Sequence, residues 1–212
     1  MKIAKQGWKL IFYGLVAAQL GFLPIWGPWG PVAWPPVVLG LGFACFCAYF
    51  FRDPERPLPS NPNRLYSPGD GRVLSVAREA PDAGWTARIF LSIFDVHVQR
   101  VPCSGTIEKT EYLPGAFAMA MKPEAMKNER SIIHIRPDGG RPPVIVEQIA
   151  GFVARRIETW PKEGDAVRSG ARYGIIYFGS QAAVHLPQGA RPLVKPGDRV
   201  IGGVTEIAEW IG

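Results

Sequence analysis

Two charge-free apolar runs open the chain: LIFYGLVAAQLGFLPIW over residues 10–26 and VAWPPVVLGLGFACFCAYFF over residues 32–51. About 20 apolar residues are needed to cover roughly 30 Å of bilayer hydrocarbon, and few soluble folds can bury two such runs in succession. Residues 1–51 are therefore expected to form an N-terminal α-helical membrane hairpin whose second run spans and whose GPWGP link is the outer tip. Trp8, Trp26, Trp29 and Trp34 lie near the run ends, where indole prefers the water interface. Lys2, Lys5 and Lys9 precede the first run, and Arg52 and Arg56 follow the second. The positive-inside bias then puts both ends of the hairpin, and the domain after it, on the cytoplasmic side of the cell membrane. A cleaved signal peptide fits less well, because no small-residue cleavage site precedes the second, longer run. A shallow re-entrant hairpin stays open as an alternative, since Pro24, Pro28, Pro31, Pro35 and Pro36 are helix breakers.

The remainder is long enough for one ordinary domain, and 47% hydrophobic residues over 212 positions supply a core. The formal charge of +6 attracts nucleic acid, anionic lipid and acidic ligands alike. With a bilayer element at hand, anionic headgroups account for it, and no nucleic-acid partner is expected. Cys45 and Cys47 sit inside an apolar run, where a thiol behaves as a small hydrophobe. With Cys103 they form no CxxC pair and meet no His-rich segment, so neither a disulfide framework nor a metal site is expected.

Residues 52–64 form a Pro-rich linker, and from residue 65 to 212 the pattern becomes alternating and β-branched. RVLSVAR, ARIFLSIF, VHVQRV, SIIHIRP, PVIVEQIAGFVARRIE, GIIYFG and AAVHLP read as strands bounded by turn residues. Helix-forming residues gather only in AFAMAMKPEAMKNER, which has a central proline. The domain should be mainly β, of β-sandwich or barrel-sandwich type with few short helices. SPGDGRVLSV, PKEGDAVRSG and VKPGDRVIGG each place a Gly-Asp turn before a Val-rich strand. The last two resemble the hairpins of lipoyl and biotinyl carrier domains, which leaves a tethered, non-catalytic binding module as a reading from a different class. A carrier, however, displays a lysine at the hairpin tip, and these tips carry Asp165-Ala166 and Asp198-Arg199.

The chain has three histidines, His97, His134 and His185, each in a strand-like segment. Residue type alone leaves each one open as either a structural residue or a proton carrier. Asp70 in YSPGDGRV is by the same reasoning a turn-former. The segment YFGSQ, residues 177–181, sets a serine after a glycine where the pattern otherwise reads as sheet interior. A buried hydroxyl needs a partner, and a strand glycine weakens packing unless backbone or ligand must come close.

Six segments in order, FFRDPERP, YSPGDGRV, IFDVHVQRVPCSG, YLPGAFAMAMKPEAMKNER, GDAVRSGARYGIIYFGS and VKPGDRVIGG, resemble the short form of phosphatidylserine decarboxylase. The resemblance implies a chain that cuts itself between Gly179 and Ser180, with Ser180 converted to an N-terminal pyruvoyl group and no metal or external cofactor. It assigns His97 as the base and Asp70 as the carboxylate that orients it. The implied reaction turns phosphatidylserine into phosphatidylethanolamine, with the bilayer, the two cleavage fragments and a homodimer as partners. Arg100, Lys127 and Arg130 are candidates for the lipid phosphate, and the methionines of AFAMAMKPEAM for its acyl chains. One departure stands out: relatives read closer to RFGSR followed by an apolar-acidic pair, whereas this chain has Tyr177, Gln181 and Ala182-Ala183.

Overall fold

A computed structural model of the chain describes residues 2–22, 30–79, 84–118, 127–152 and 156–211, and of residues 30–33 it describes the backbone alone. The chain divides into two compact units, Met1–Glu55 and Arg56–Gly212.

In the first unit, helices α1 (Lys5–Phe22) and α2 (Gly30–Phe50) pack against each other. Gly7, Ile11, Gly14, Ala18 and Gly21 are the buried positions of α1, and their alternating spacing of four and three draws one stripe along a helix. The stripe of small residues allows backbone-to-backbone approach: a Cβ on Gly40 would lie 2.6 Å from the backbone nitrogen of Ala18. Backbone hydrogen bonds close the open end, from Ala4 N–H to Phe51 O at 2.8 Å and from Asp53 N–H to Lys2 O at 2.9 Å. The helical hairpin is thus present, but the expected membrane crossing is not supported: among the described residues no helix is long and apolar enough to cross a membrane. Lys5 and Lys9 occupy the first turns of α1, leaving about 20 Å of charge-free helix at 1.5 Å per residue. The described side chains of α2 begin at Trp34, directly before Pro35 and Pro36. What the pair does present is an apolar outer surface, with Phe12, Leu20, Val38 and Leu39 all exposed.

The second unit begins with β1 (Arg64–Tyr66), β2 (Gly71–Arg78), β3 (Trp85–Leu91), β4 (Val98–Arg100) and β5 (Gly105–Leu113). Then come β6 (Arg130–Pro137), β7 (Val144–Ala150), β8 (Ile157–Thr159), β9 (Ala166–Val167) and β10 (Arg172–Ile176). The last four are β11 (Ser180–His185), β12 (Ala190–Pro192), β13 (Arg199–Val200) and β14 (Glu206–Trp210). Eight strands form one sheet in the order β13-β2-β3-β11-β7-β6-β5-β9, and β1-β14-β12 and β4-β10-β8 form two smaller sheets. The chain is therefore mainly β beyond its two helices. Most of AFAMAMKPEAMKNER, residues 119–126, lies outside the described residues, and its tail enters β6.

β11 runs through the middle of the large sheet, between β3 and β7. One face of these strands carries Ile89, Leu91, Ala182, Val184, Val144 and Val146 into the main core. The other face carries Thr86, Arg88, Ala183, His185 and Glu147, as the two-residue alternation of a strand requires. Two of the three Gly-Asp segments prove to be the same turn. Asp165 Oδ2 accepts from Lys162 N–H at 2.8 Å and Asp198 Oδ2 from Lys195 N–H at 2.9 Å, each with a backbone bond running back from the aspartate N–H. Their likeness is Asx-turn chemistry. The Asp70 segment is built differently.

Candidate active site

Ser180 opens β11 in register with Leu91 on one side and Ala150 on the other. It is fully buried on the core face, and its Oγ has no hydrogen-bond partner. An unpaired buried hydroxyl costs on the order of 1–3 kcal/mol, which alanine at that position would avoid. The backbone just before it is also held in an uncommon conformation. Phe178, at φ 54°, is the one non-glycine residue with positive φ among the described residues, and Gly179 follows at φ 76°. Strain of this kind collects where the surroundings over-determine a site.

His97 is fully buried, and its Nε2 accepts the Gly179 N–H at 3.3 Å. Its other ring nitrogen, Nδ1, lies 3.0 Å from the backbone carbonyl of Asp95. A carbonyl only accepts, so the proton sits on Nδ1 and the Nε2 lone pair faces the peptide that precedes Ser180. This arrangement separates the three histidines. His134 pairs with Glu111 at 2.8 Å, while His185 lies between Thr86 at 3.0 Å and Glu147 at 2.8 Å. Both sit on the sheet face opposite the Ser180 side chain.

Asp70 is held by Arg56, which donates to its two carboxylate oxygens at 2.7 and 2.8 Å, and by the Gly202 N–H at 2.8 Å. None of these bonds reaches His97. The loop that carries Asp70 does lie against β4, through the Arg100 N–H to Pro68 O bond of 2.7 Å. Arg100 itself is buried and donates to Gly170 O at 3.2 Å. Arg130 pairs with Glu147 at 3.1 Å, and its register with Ile149 puts it on the face away from Ser180. Lys127 is exposed at the end of the 119–126 segment, and the methionines expected to meet acyl chains lie in that segment, outside the described residues.

Several residues of the site escaped the sequence reading. Arg88 is buried and donates to Gln181 Oε1 at 3.3 Å, and the Arg156 guanidinium stands 5.6 Å from the Tyr177 ring centroid. The two positions that the resemblance expects to be basic, Tyr177 and Gln181, thus each have an arginine beside them. Tyr177 donates to Glu158 at 2.8 Å; burial, and then that bond, push its phenol up, so it stays a donor. Buried Asn128 ties the Ala116–Ala118 strip to Ala150, the residue across from Ser180, donating to Ala150 O at 2.7 Å. Gln148 takes a bond from Thr159 on its Oε1 at 2.7 Å, and its buried Nε2 has no partner. For Arg88, Gln148 and Arg156 the sequence signal was a polar residue in an apolar strand-like run, and Asn128 carried none. Among the described residues no group of three or more His, Cys, Asp or Glu side chains is placed to hold a metal ion.

A family model described as phosphatidylserine decarboxylase matches residues 43–208. A protein of Granulibacter bethesdensis named phosphatidylserine decarboxylase proenzyme is 44% identical over 92% of this chain and 80% of its own length. One of the same name from Symbiobacterium thermophilum is 43% identical, over 97% and 94%. A third, from Paramagnetospirillum magneticum, is 42% identical, over 98% and 86%.

Proposed function

Because the chain belongs to the phosphatidylserine decarboxylase family, we propose that it decarboxylates phosphatidylserine to phosphatidylethanolamine after cutting itself between Gly179 and Ser180. The observation that carries this reading is a buried, unpaired serine hydroxyl directly after a left-handed glycine whose N–H rests on the Nε2 of His97. The Ser180 proton passes to His97, and Oγ attacks the Gly179 carbonyl carbon. The C–N bond breaks, the freed amine takes a proton, and Gly179 is left as an ester on Oγ. Loss of the Ser180 α-proton with cleavage of the Cβ–O bond frees the Gly179 carboxylate and leaves a dehydroalanine. Its imine tautomer is hydrolysed with release of ammonia.

The residues around position 180 fit the resulting pyruvoyl group: it needs no partner beyond the chain, and it starts a strand held on both sides by Leu91 and Ala150. When present, that group supplies an electron sink for the pair released as CO₂ leaves. His97 then returns a proton to the product, as general acid. Asp70, through Arg56 and Gly202, fixes the loop that backs β4 and so serves the cut. Of the three cations assigned to the lipid phosphate, Lys127 alone is exposed, which favours it for first contact.

The lipid approaches over the end of the large sheet where β3, β11 and β7 meet the site. Exposed Phe94 follows β3 there and exposed Phe152 follows β7. The apolar outer surface of the helical pair binds the bilayer as a re-entrant anchor, and the +6 charge favours the anionic cytoplasmic leaflet. Intact-mass analysis of active protein is the test. It should find one fragment ending at Gly179 and another, residues 180–212, with a carbonyl-blocked first residue, while Ser180→Ala stays whole and inactive. Wild-type decarboxylation by Ser180→Ala would refute the mechanism.

A further inference from the structure

The turn between β3 and β4 is closed twice by one residue. Asp95 N–H donates to Ser92 O at 2.8 Å, and Asp95 Oδ2 accepts from Ser92 N–H at 2.9 Å. The same pair of bonds closes the Lys162–Asp165 and Lys195–Asp198 turns. Here, however, the second carboxylate oxygen is taken as well: Oδ1 accepts from Arg199 Nη2 of β13 at 3.0 Å, with the Asp95 side chain 6% exposed and that of Arg199 66% exposed. The turn also meets the cut site at two points. Its Asp95 carbonyl is the acceptor for His97 Nδ1, and Ile93 Cγ2 lies 3.7 Å from where a Cβ on Gly179 would stand.

We propose that Asp95 and Arg199 are positioning residues for His97, a role that rests on the reading of Ser180 as the cut site. The direction of the Asp95 carbonyl follows from that residue's own backbone. The backbone is held because its N–H and its carboxylate are both tied to Ser92, and Arg199 locks the carboxylate from outside. A carbonyl in that place keeps the imidazole proton on Nδ1 and leaves Nε2 with its lone pair toward Gly179, which is the tautomer a base for Ser180 requires. If the turn loosens, the ring is free to adopt the other tautomer, which would present an N–H to the peptide and take no proton at Nε2.

The test uses the full chain and two readouts. In a time course of release of residues 180–212, Asp95→Ala should slow the cut about 100-fold, the order that an ångström-scale misplacement costs. Asp95→Asn, which keeps an oxygen for the Ser92 N–H, should stay within about tenfold of wild type, as should Arg199→Lys, with Arg199→Ala slower than Arg199→Lys. In the uncut Ser180→Ala background, ¹⁵N shifts of the His97 ring, assigned by their loss in His97→Gln, should report the Nδ1–H tautomer. Adding Asp95→Ala should bring in Nε2–H. A wild-type cutting rate in Asp95→Ala overturns the proposal, and so does a slow cut with an unchanged tautomer, which would mean a merely structural role. Should Asp95→Ala lose cooperative melting, Arg199→Ala decides from the exposed side of the pair. A wild-type rate and unchanged tautomer there also overturn it. Failure of the underlying reading looks different, since wild-type protein itself would then never release residues 180–212.

Discussion

A φ of 76° at Gly179, together with 3.7 Å of clearance to Ile93, separates two reasons for a glycine before the cut. A Cβ would find room there, so crowding is not the reason, and the requirement lies in the backbone conformation. Gly179→Ala should therefore fold, lose on the order of 1 kcal/mol for the left-handed residue, and cut itself more slowly, which thermal melting and a cleavage time course will check. His97→Ala should block or greatly slow the cut; normal maturation would reassign the base to His134 or His185, although those already bond Glu111 and Glu147. In the sequence the three histidines are equivalent, because each stands in a similar strand pattern, and only the family resemblance singles out His97. What the pattern could not carry is the pairing of Asp70 with Arg56 or of Asp95 with Arg199, since the second pair joins residues 104 positions apart.

At the scale of elements, β11 is buried on both faces, and an alanine in it has a use beyond compactness. Ala183 stands between Arg88 of β3 and Glu147 of β7 in register, so the short side chain leaves room for long polar ones on either side. Burial pushes the Glu147 carboxyl up. The hydrogen bond from His185 and the charges of His185, Arg130 and Arg88 outweigh that, and the group ends below the ordinary carboxylate value. A depressed native value means stability that is present above the unfolded pKa of about 4.3 and lost as pH falls through the native one. Glu147→Gln should cost roughly 3 kcal/mol at neutral pH, as breaking a buried pair does. Melting temperatures of mutant and wild type should then converge on acidification. Strands with clean alternation or dense β-branching, such as β6 and β7, were legible in the sequence. β5 was not, because GTIEKTEYL is mostly charged or exposed beyond Ile107, and its place is set by the partner β6.

For the whole molecule, the division at Glu55 and Arg56 predicts that the second unit works without the first. Removing residues 1–55 should release the protein from membranes while self-cleavage continues; loss of the cut would show that the helical pair supports the fold. Phe94→Ser with Phe152→Ser should lower turnover of bilayer phosphatidylserine about tenfold while leaving a short-chain, monomeric analogue and the self-cleavage rate unchanged, which parallel assays on vesicles and on the soluble analogue will test. The order of residues was enough to establish a helical apolar pair ahead of a mainly β domain, because periodicity and turn chemistry are local properties. It also carried the family, because six motifs recur in register. Tertiary structure decided which histidine meets the Gly179 N–H, which arginine holds which carboxylate and which face of the large sheet Arg130 occupies. Those depend on strand register and on contacts between distant segments, and hydrogen-bond geometry of that kind leaves no periodic trace along a chain.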